Sequence, residues 1–496
     1  MTLRDRLLAA AHAHPGRPAL WTEEAALPYE ALFARAEALA RRLDERLPAG
    51  VGLGVHADRG VASLAAILAA ALSGRPYVPL NPSFPEERLR AVVAAARLGA
   101  ILCAPETRAA SERLVAGAGE PVLLLDERGE VVAGAPGEAA RYEGTAYVMF
   151  TSGTTGAPKG VRVLERNVTA YLDGIAPVAG LTPEDRASQL FELSFDLSVH
   201  DLLVTWTAGA ELVVLPRSRS MAAVAFARER GLTSWFSVPS LAAFCDRLGH
   251  LTPGALPGLR QALFCGEAFP VALARRVAAA APQARVWNLY GPTEATIALT
   301  AYEVGRPDGL DGLAVVPLGR PIGEQTAEVD GEGEGELLLG GSQVTAGYVN
   351  APDQNRERFV ERGGDRLYRS GDLAAVAEPH GLLYRGRIDD QVKINGYRVE
   401  LLEIDAALRE AAGTAEAAAI PWPVSETGHA DQIVGFICAP RATAAEIRRA
   451  CRTRLAPYMV PRRVVALDRL PVNASGKIDR RALARLLDEE RACASV

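Results

Sequence analysis

From Tyr147 to Val161 the chain reads Tyr-Val-Met-Phe-Thr-Ser-Gly-Thr-Thr-Gly-Ala-Pro-Lys-Gly-Val. A β-prone run stops at a loop carrying hydroxyls at Thr151, Ser152, Thr154 and Thr155, a lysine at Lys159, and three glycines. Glycine lets backbone close around a polyanion, while hydroxyls and an ammonium supply donors and charge, so the chemistry suggested is the binding of a phosphate chain. The Walker A pattern is excluded, because it needs Lys-Ser/Thr opening a helix and Lys159 is followed by Gly160. A Gly/Thr-rich surface turn would have the same composition, so the loop does not decide alone.

Four other segments offer complementary groups. Asn288-Leu289-Tyr290-Gly291-Pro292-Thr293-Glu294 presents an aromatic, a hydroxyl and a carboxylate in one turn, which could stack a base, touch a phosphate and hold Mg²⁺ through oxygen. Tyr290 as core packing and Glu294 as a solvated helix-start acid remain open. Tyr368-Arg369-Ser370-Gly371-Asp372 places Asp372 after a tight glycine turn, ready for a ribose diol or for an Asx turn. Gly386-Arg387-Ile388-Asp389 forms a charged turn, and Pro471 to Asp479 carries Lys477 on a loop of small residues. A lone loop lysine is ordinarily just solvated.

These loops must be held by larger elements, and the pattern predicts α/β architecture. Helical periodicity at Val61–Leu72, Met221–Glu229 and Val271–Ala281 alternates with apolar runs at 51–55, 121–125, 210–215 and 259–265. Sequential strand-helix units predict mostly parallel sheets covered by helices. From about Leu318 to 388 short β runs such as Gly335–Leu339 predict an antiparallel or barrel-like subdomain. Beyond Asp389 lies a small α+β domain, with helices expected at Leu401–Ala412, 444–455 and 480–492 and strands at 417–420, 432–439 and 463–466. The expected division is therefore 1–388 and 389–496, with 318–388 the β-rich part of the first domain. Leu339-Gly340-Gly341-Ser342 looks slightly like a phosphopantetheine attachment site, but it lies inside the β-rich part, so no carrier domain is read here.

Composition narrows the partner classes. At 496 residues, 49% of them apolar, the chain exceeds what one core usually serves. A net charge of −6 gives no general attraction to nucleic acid or anionic membrane. Six scattered cysteines, without C-x-x-C or a Cys/His cluster, fit a reduced cytoplasmic protein with no zinc site. The first residues form an amphipathic stripe rather than a signal peptide, and no run approaches a membrane span.

Taken together and in order, the loops resemble those of the adenylate-forming ligases, a superfamily of amino-acid adenylation domains, acyl- and aryl-CoA synthetases and luciferases. The resemblance runs from about residue 10 to the end. It implies ATP and Mg²⁺ as cofactors, with Thr151, Ser152, Thr154 and Lys159 on the phosphate loop, Asn288 and Tyr290 at adenine, Thr293 at the α-phosphate, Glu294 at Mg²⁺, and Asp372 with Arg387 at the ribose. Lys477 is implied as the catalytic residue bridging substrate carboxylate and α-phosphate. Asp389 matches the hinge of a mobile C-terminal domain, and Gly396 the glycine beside which a pantetheine arm passes.

The resemblance also bears on the substrate. Asp196 in Phe195-Asp196-Leu197-Ser198-Val199-His200 matches the aspartate that amino-acid-activating members set against the substrate ammonium; capping the following helix is its alternative use. A plain carboxylic acid would leave such a buried charge unpaired. The implied pocket comprises Asp196, Leu197, His200, Phe236, Leu263, Cys265, Leu289, Ile297 and Ala298, with Lys477. Apart from Asp196 it holds no carboxylate or arginine, which suits a small neutral amino acid, alanine first and glycine or serine next. The implied activity is formation of aminoacyl-AMP and transfer to the phosphopantetheine thiol of a separate carrier protein in natural-product biosynthesis. The D-alanine:carrier-protein ligases of teichoic acid modification, which typically have another residue at position 200, are the nearest alternative. An acyl-CoA synthetase and a non-catalytic adenylate-binding homologue are the others.

Overall fold

The computed structural model describes residues 1–153, 158–305, 307–389, 391–394, 396–424, 430, 432–472 and 478–494. They divide into two compact units, one of residues 1–82, 92–150 and 160–388, the other of 83–91, 151–159 and 389–496.

The first unit is built on three sheets. A nine-stranded sheet has at its centre the parallel strands Arg285–Tyr290, Gln261–Phe264, Ser234–Ser237, Arg186–Gln189 and Glu211–Val214. An eight-stranded sheet contains Lys159–Leu164, Thr145–Thr151, Tyr77–Pro79, Leu53–His56 and Ala100–Cys103 in that order. The run after the phosphate loop is thus a strand, and the helix Glu165–Ala179 follows it. The third sheet is antiparallel and five-stranded, comprising Thr326–Asp330, Glu334–Gly340, Asp365–Ala377, Phe359–Arg362 and Gly381–Arg387.

Strands of the large sheets are buried on both faces, as helix-covered parallel strands must be. Alternation along them sorts side chains between two cores. Phe236, Leu263 and Leu289 face one core, while Trp235, Ala262, Phe264 and Val286 face the other. The helices Val61–Leu72 and Leu197–Thr207 are buried nearly all round, and both lie in the first of these cores, which draws on all three sheets. Trp206 fixes the second helix by donating from Nε1 to the Ala19 carbonyl at 3.1 Å, and Tyr29 donates its hydroxyl to Ala210 O at 2.8 Å.

In the second unit the strands Ala417–Pro421, Ile433–Cys438 and Arg463–Leu467 form a sheet, accompanied by the helices Leu401–Ala412, Ala444–Cys451 and Arg480–Ala494. A hairpin of Gln391–Ile394 and Tyr397–Glu400 precedes them. Among the described residues no helix is long and apolar enough to cross a membrane. Two expectations are adjusted. The helix expected at Met221–Glu229 is a 3₁₀ turn at Arg217–Ala222 followed by a helix at Ala223–Arg230. The helix expected at 444–455 is closed at Cys451, with Leu455 and Met459 turned into the small core.

Candidate active site

Strand alternation and one buried helix assemble the expected pocket residues. Asp196 stands at the N-cap of Leu197–Thr207, 3% exposed, and its side chain makes no capping hydrogen bond, which removes the capping explanation. His200 follows one helical turn later on the same face. Phe236 and Leu263 are register partners on neighbouring strands, Cys265 lies just past the end of the second, and Leu289 is on the next. Leu197, Ile297 and Ala298 join them in the same buried cluster.

Three tyrosines that the sequence did not single out for the pocket, Tyr77, Tyr147 and Tyr171, lie in the same buried cluster. Tyr77 and Tyr147 are register partners in the eight-stranded sheet, with ring centroids 5.8 Å apart. Both hydroxyls are buried with no hydrogen-bond partner. Burial, and then the nearby Asp196 carboxylate, push both phenols up. Tyr171, on Glu165–Ala179, shares a 2.6 Å hydrogen bond with His200 Nδ1. Burial pushes His200 down to about 3, so the imidazole is neutral.

The turn after Tyr290 is tightly determined. A side chain at Gly291 would meet Ala298 Cα at 2.7 Å, so only glycine fits there. Thr296 and Ile297 have φ of 57° and 71°, and for a β-branched residue this is a strained backbone of the kind that marks functional sites. Gln343 holds the strain in place: its Nε2 donates to Ala298 O at 2.8 Å and more weakly to Ala295 O and Thr296 O, while Thr296 Oγ1 donates to Gln343 O at 2.6 Å. The residue sits directly after the Gly340-Gly341-Ser342 turn set aside in the sequence.

The nucleotide candidates of the first unit are also linked. Asn288 donates through Nδ2 to the carbonyls of Val316 and Pro317 at 3.2 and 2.8 Å, leaving its buried Oδ1 without a protein partner. Tyr290 donates its hydroxyl to Asp372 Oδ2 at 2.6 Å, and Arg387 Nη1 donates to Asp372 Oδ1 at 2.5 Å. Burial first, then the Asp372 carboxylate, push the Tyr290 phenol well up. The turns expected around Asp372 and Arg387 are corrected: both residues lie on strands and pair directly, and Gly371, at φ 73°, belongs to an irregular stretch of its strand.

Glu294 is fully buried beside Thr293 in a short 3₁₀ turn, which overturns its reading as a solvated acid. Its Oε1 accepts from the Tyr348 hydroxyl at 2.6 Å. Among the described residues no group of three or more His, Cys, Asp and Glu could hold a metal. A single buried carboxylate fits Mg²⁺ accompanying a nucleotide, since that ion is commonly bound by one or two carboxylates and substrate phosphates.

The second unit contains the ends of the phosphate loop. Thr151 Oγ1 is buried without a hydrogen-bond partner. Ser152 Oγ donates to Arg398 O at 2.9 Å and accepts from Glu400 N at 3.1 Å. Gly153 N donates to Glu403 Oε2 at 3.2 Å, and Lys159, 9% exposed, places Nζ 3.8 Å from Glu400 Oε1. Arg88 pairs with Glu403, both buried. Gly396, at φ 84°, turns the 391–400 hairpin, and Asp389 Oδ1 accepts from Gln391 N at 3.3 Å. Thr154 and Lys477 lie outside the described residues.

The sequence pattern of the AMP-binding enzyme family matches residues 7–349, and that of the AMP-binding enzyme C-terminal domain matches residues 403–477. The chain belongs to the AMP-binding enzymes. It is thus an AMP-forming ligase using ATP. It is 32% identical over 501 residues to the D-alanine–D-alanyl carrier protein ligase of Lacticaseibacillus casei, covering 97% of this chain and 98% of that one. To surfactin synthase subunit 2 of Bacillus subtilis it is 33% identical over 491 residues, 95% of this chain but only 13% of that relative's length. The crystal structure of the Vibrio cholerae adenylation domain AlmE in complex with glycyl-adenosine-5'-phosphate superposes with a TM-score of 0.89 at 30% identity, covering 98% of both chains. The superposition over nearly the whole of both chains shows the same mixed α/β fold.

Proposed function

We propose that this enzyme activates a small neutral amino acid, alanine first and glycine or serine next, as aminoacyl-AMP and passes the aminoacyl group to the phosphopantetheine thiol of a separate carrier protein. The observation that carries the reading is the buried Asp196 at the N-cap of a helix, uncommitted to a cap, whose carboxylate together with burial raises the phenols of Tyr77 and Tyr147, both without hydrogen-bond partners. An α-ammonium supplies the charge such a carboxylate favours, and a fatty or aryl acid does not.

In the first half-reaction a substrate carboxylate oxygen bonds to the α-phosphorus as the bond to the β-phosphate oxygen breaks, and pyrophosphate leaves. Two anions approach one another, so positive charge is what the chain must supply. Lys477 and Lys159 are the side chains assigned to that task. Asp372, aligned by Tyr290 and Arg387, holds the ribose, and the Asn288 Oδ1 accepts from the adenine amino group. Mg²⁺, held by Glu294, would supply further positive charge to the phosphate oxygens. In the second half-reaction the carrier thiol, losing its proton to solvent, bonds to the acyl carbon as AMP departs. Asp389 serves as hinge and Gly396 borders the pantetheine path.

Exchange of labelled pyrophosphate into ATP across L- and D-amino acids, with fatty and aryl acids as controls, tests this. Exchange with small amino acids supports it. The near full-length relation to a D-alanine ligase favours a second reading, modification of a cell-wall polymer, which preference for D-alanine would support. Exchange with only non-amino acids would point to an acyl-CoA synthetase.

A further inference from the structure

His200 and Asp196 lie four residues apart along one helix face, about 6 Å along the axis at 1.5 Å per residue. An ammonium nitrogen at hydrogen-bond distance from Asp196 takes up about 3 Å of that span. What remains is no more than one van der Waals contact, about 3.5–4 Å, so a substrate side chain directed along this face meets the imidazole at once.

The imidazole is fixed from two sides. Phe236 packs against it with ring centroids 4.2 Å apart, and Phe236 is itself backed by Phe191 at 5.0 Å. On the other side the Tyr171 hydroxyl bonds Nδ1 at 2.6 Å, with the two rings edge to face. Tyr171 is anchored by its own helix, whose buried face also presents Val168, Leu172 and Ile175. Burial, then Cys265 and Asp196, push its phenol up. Against such neighbours a rotation of His200 out of the way would break a buried hydrogen bond.

We propose that Tyr171 is a specificity-determining positioning residue: by hydrogen bonding His200 it fixes the imidazole as a stopper that limits an apolar substrate side chain to hydrogen or one methyl. This deepens the proposed function and rests on it. The sequence hid the pairing, because Tyr171 and His200 are 29 residues apart on different helices.

The test is pyrophosphate exchange on the full chain with glycine, alanine, 2-aminobutyrate and valine, in the enantiomer the wild type prefers. For the wild type, kcat/KM is expected to fall tenfold or more between alanine and 2-aminobutyrate, the range one methylene commands at a tight site. In Tyr171→Phe the ratio of 2-aminobutyrate to alanine is expected to rise about tenfold, and more in His200→Ala. Ratios are unaffected by partial loss of folded protein. An active Tyr171→Phe with an unchanged ratio, or a wild type that uses valine as well as alanine, would overturn the stopper. Silence of the wild type with every amino acid would instead overturn the amino-acid reading on which the stopper rests.

Discussion

The proposed amino-acid pocket and the proposed phosphate loop treat their polar groups in opposite ways. In the pocket, the hydroxyls of Tyr77 and Tyr147 are buried beside Asp196 without hydrogen-bond partners, and packing from three sheets keeps them there. At the loop, Ser152, Gly153 and Lys159 are already engaged by Arg398 O, Glu400 and Glu403 of their own unit. An organised pocket with unmet hydrogen bonds favours its ligand outright. To bind phosphate, a loop already engaged by these internal groups would have to exchange them, so affinity there would be a difference between two sets of contacts.

The largest expected effect lies in the pocket. Asp196→Ala removes the charge set against the ammonium, and breaking a buried ion pair is worth about 3–5 kcal/mol, so kcat/KM for the amino acid should fall several hundredfold or more while KM for ATP changes little. Full exchange activity in this variant would make the pocket as dispensable as any surface groove. Next comes the triad of Tyr290, Asp372 and Arg387, the proposed ribose site. Tyr290→Phe leaves Asp372 with Arg387 alone and should weaken ATP about tenfold, in keeping with loss of one charge-assisted hydrogen bond worth about 1.5–3 kcal/mol.

The loop offers a smaller effect of opposite sign. Glu400→Gln leaves Lys159 without this internal carboxylate, and inhibition by pyrophosphate should become a few times stronger. Weaker inhibition would mean that the contact supports phosphate binding, and the contrast between the two regions would fail.

The smallest effect concerns stability. Burial lowers His200 to about 3 and His56 to about 4, so both stay neutral in the folded protein while the unfolded chain takes up protons below about 6.5. Their contribution is fully present above pH 6.5 and is lost as pH falls through the window down to about 4, by about 1.4 kcal/mol per pH unit for each histidine. Urea unfolding at pH 7 and pH 5 should show a smaller loss in His56→Gln and in His200→Gln than in wild type; equal losses would contradict the assigned burial.

Local pattern was legible where a single element decides it. The helices Val61–Leu72 and Leu401–Ala412 have the expected ends, because period and flanking residues suffice. Asp196, Tyr290, Glu294 and Asp372 stood out because their chemistry is concentrated in short runs of sequence. Their surroundings did not. Gln343 clamps a turn 45 to 48 residues away, and Arg88 meets Glu403 across 315 residues. Neither local period nor spacing encodes such pairs. Asp372 was misplaced for a related reason: Gly371 signals a turn locally, but pairing with Arg387 keeps the backbone in the sheet.

The central claim is that the carboxylate at Asp196 exists for an amino group. It is tested most directly by comparing alanine with propionate, its deaminated analogue, in pyrophosphate exchange by the wild type and by Asp196→Ala. The account predicts strong exchange with alanine and none with propionate in the wild type, and a large loss of that discrimination in the variant. Propionate used as well as alanine by the wild type would contradict it.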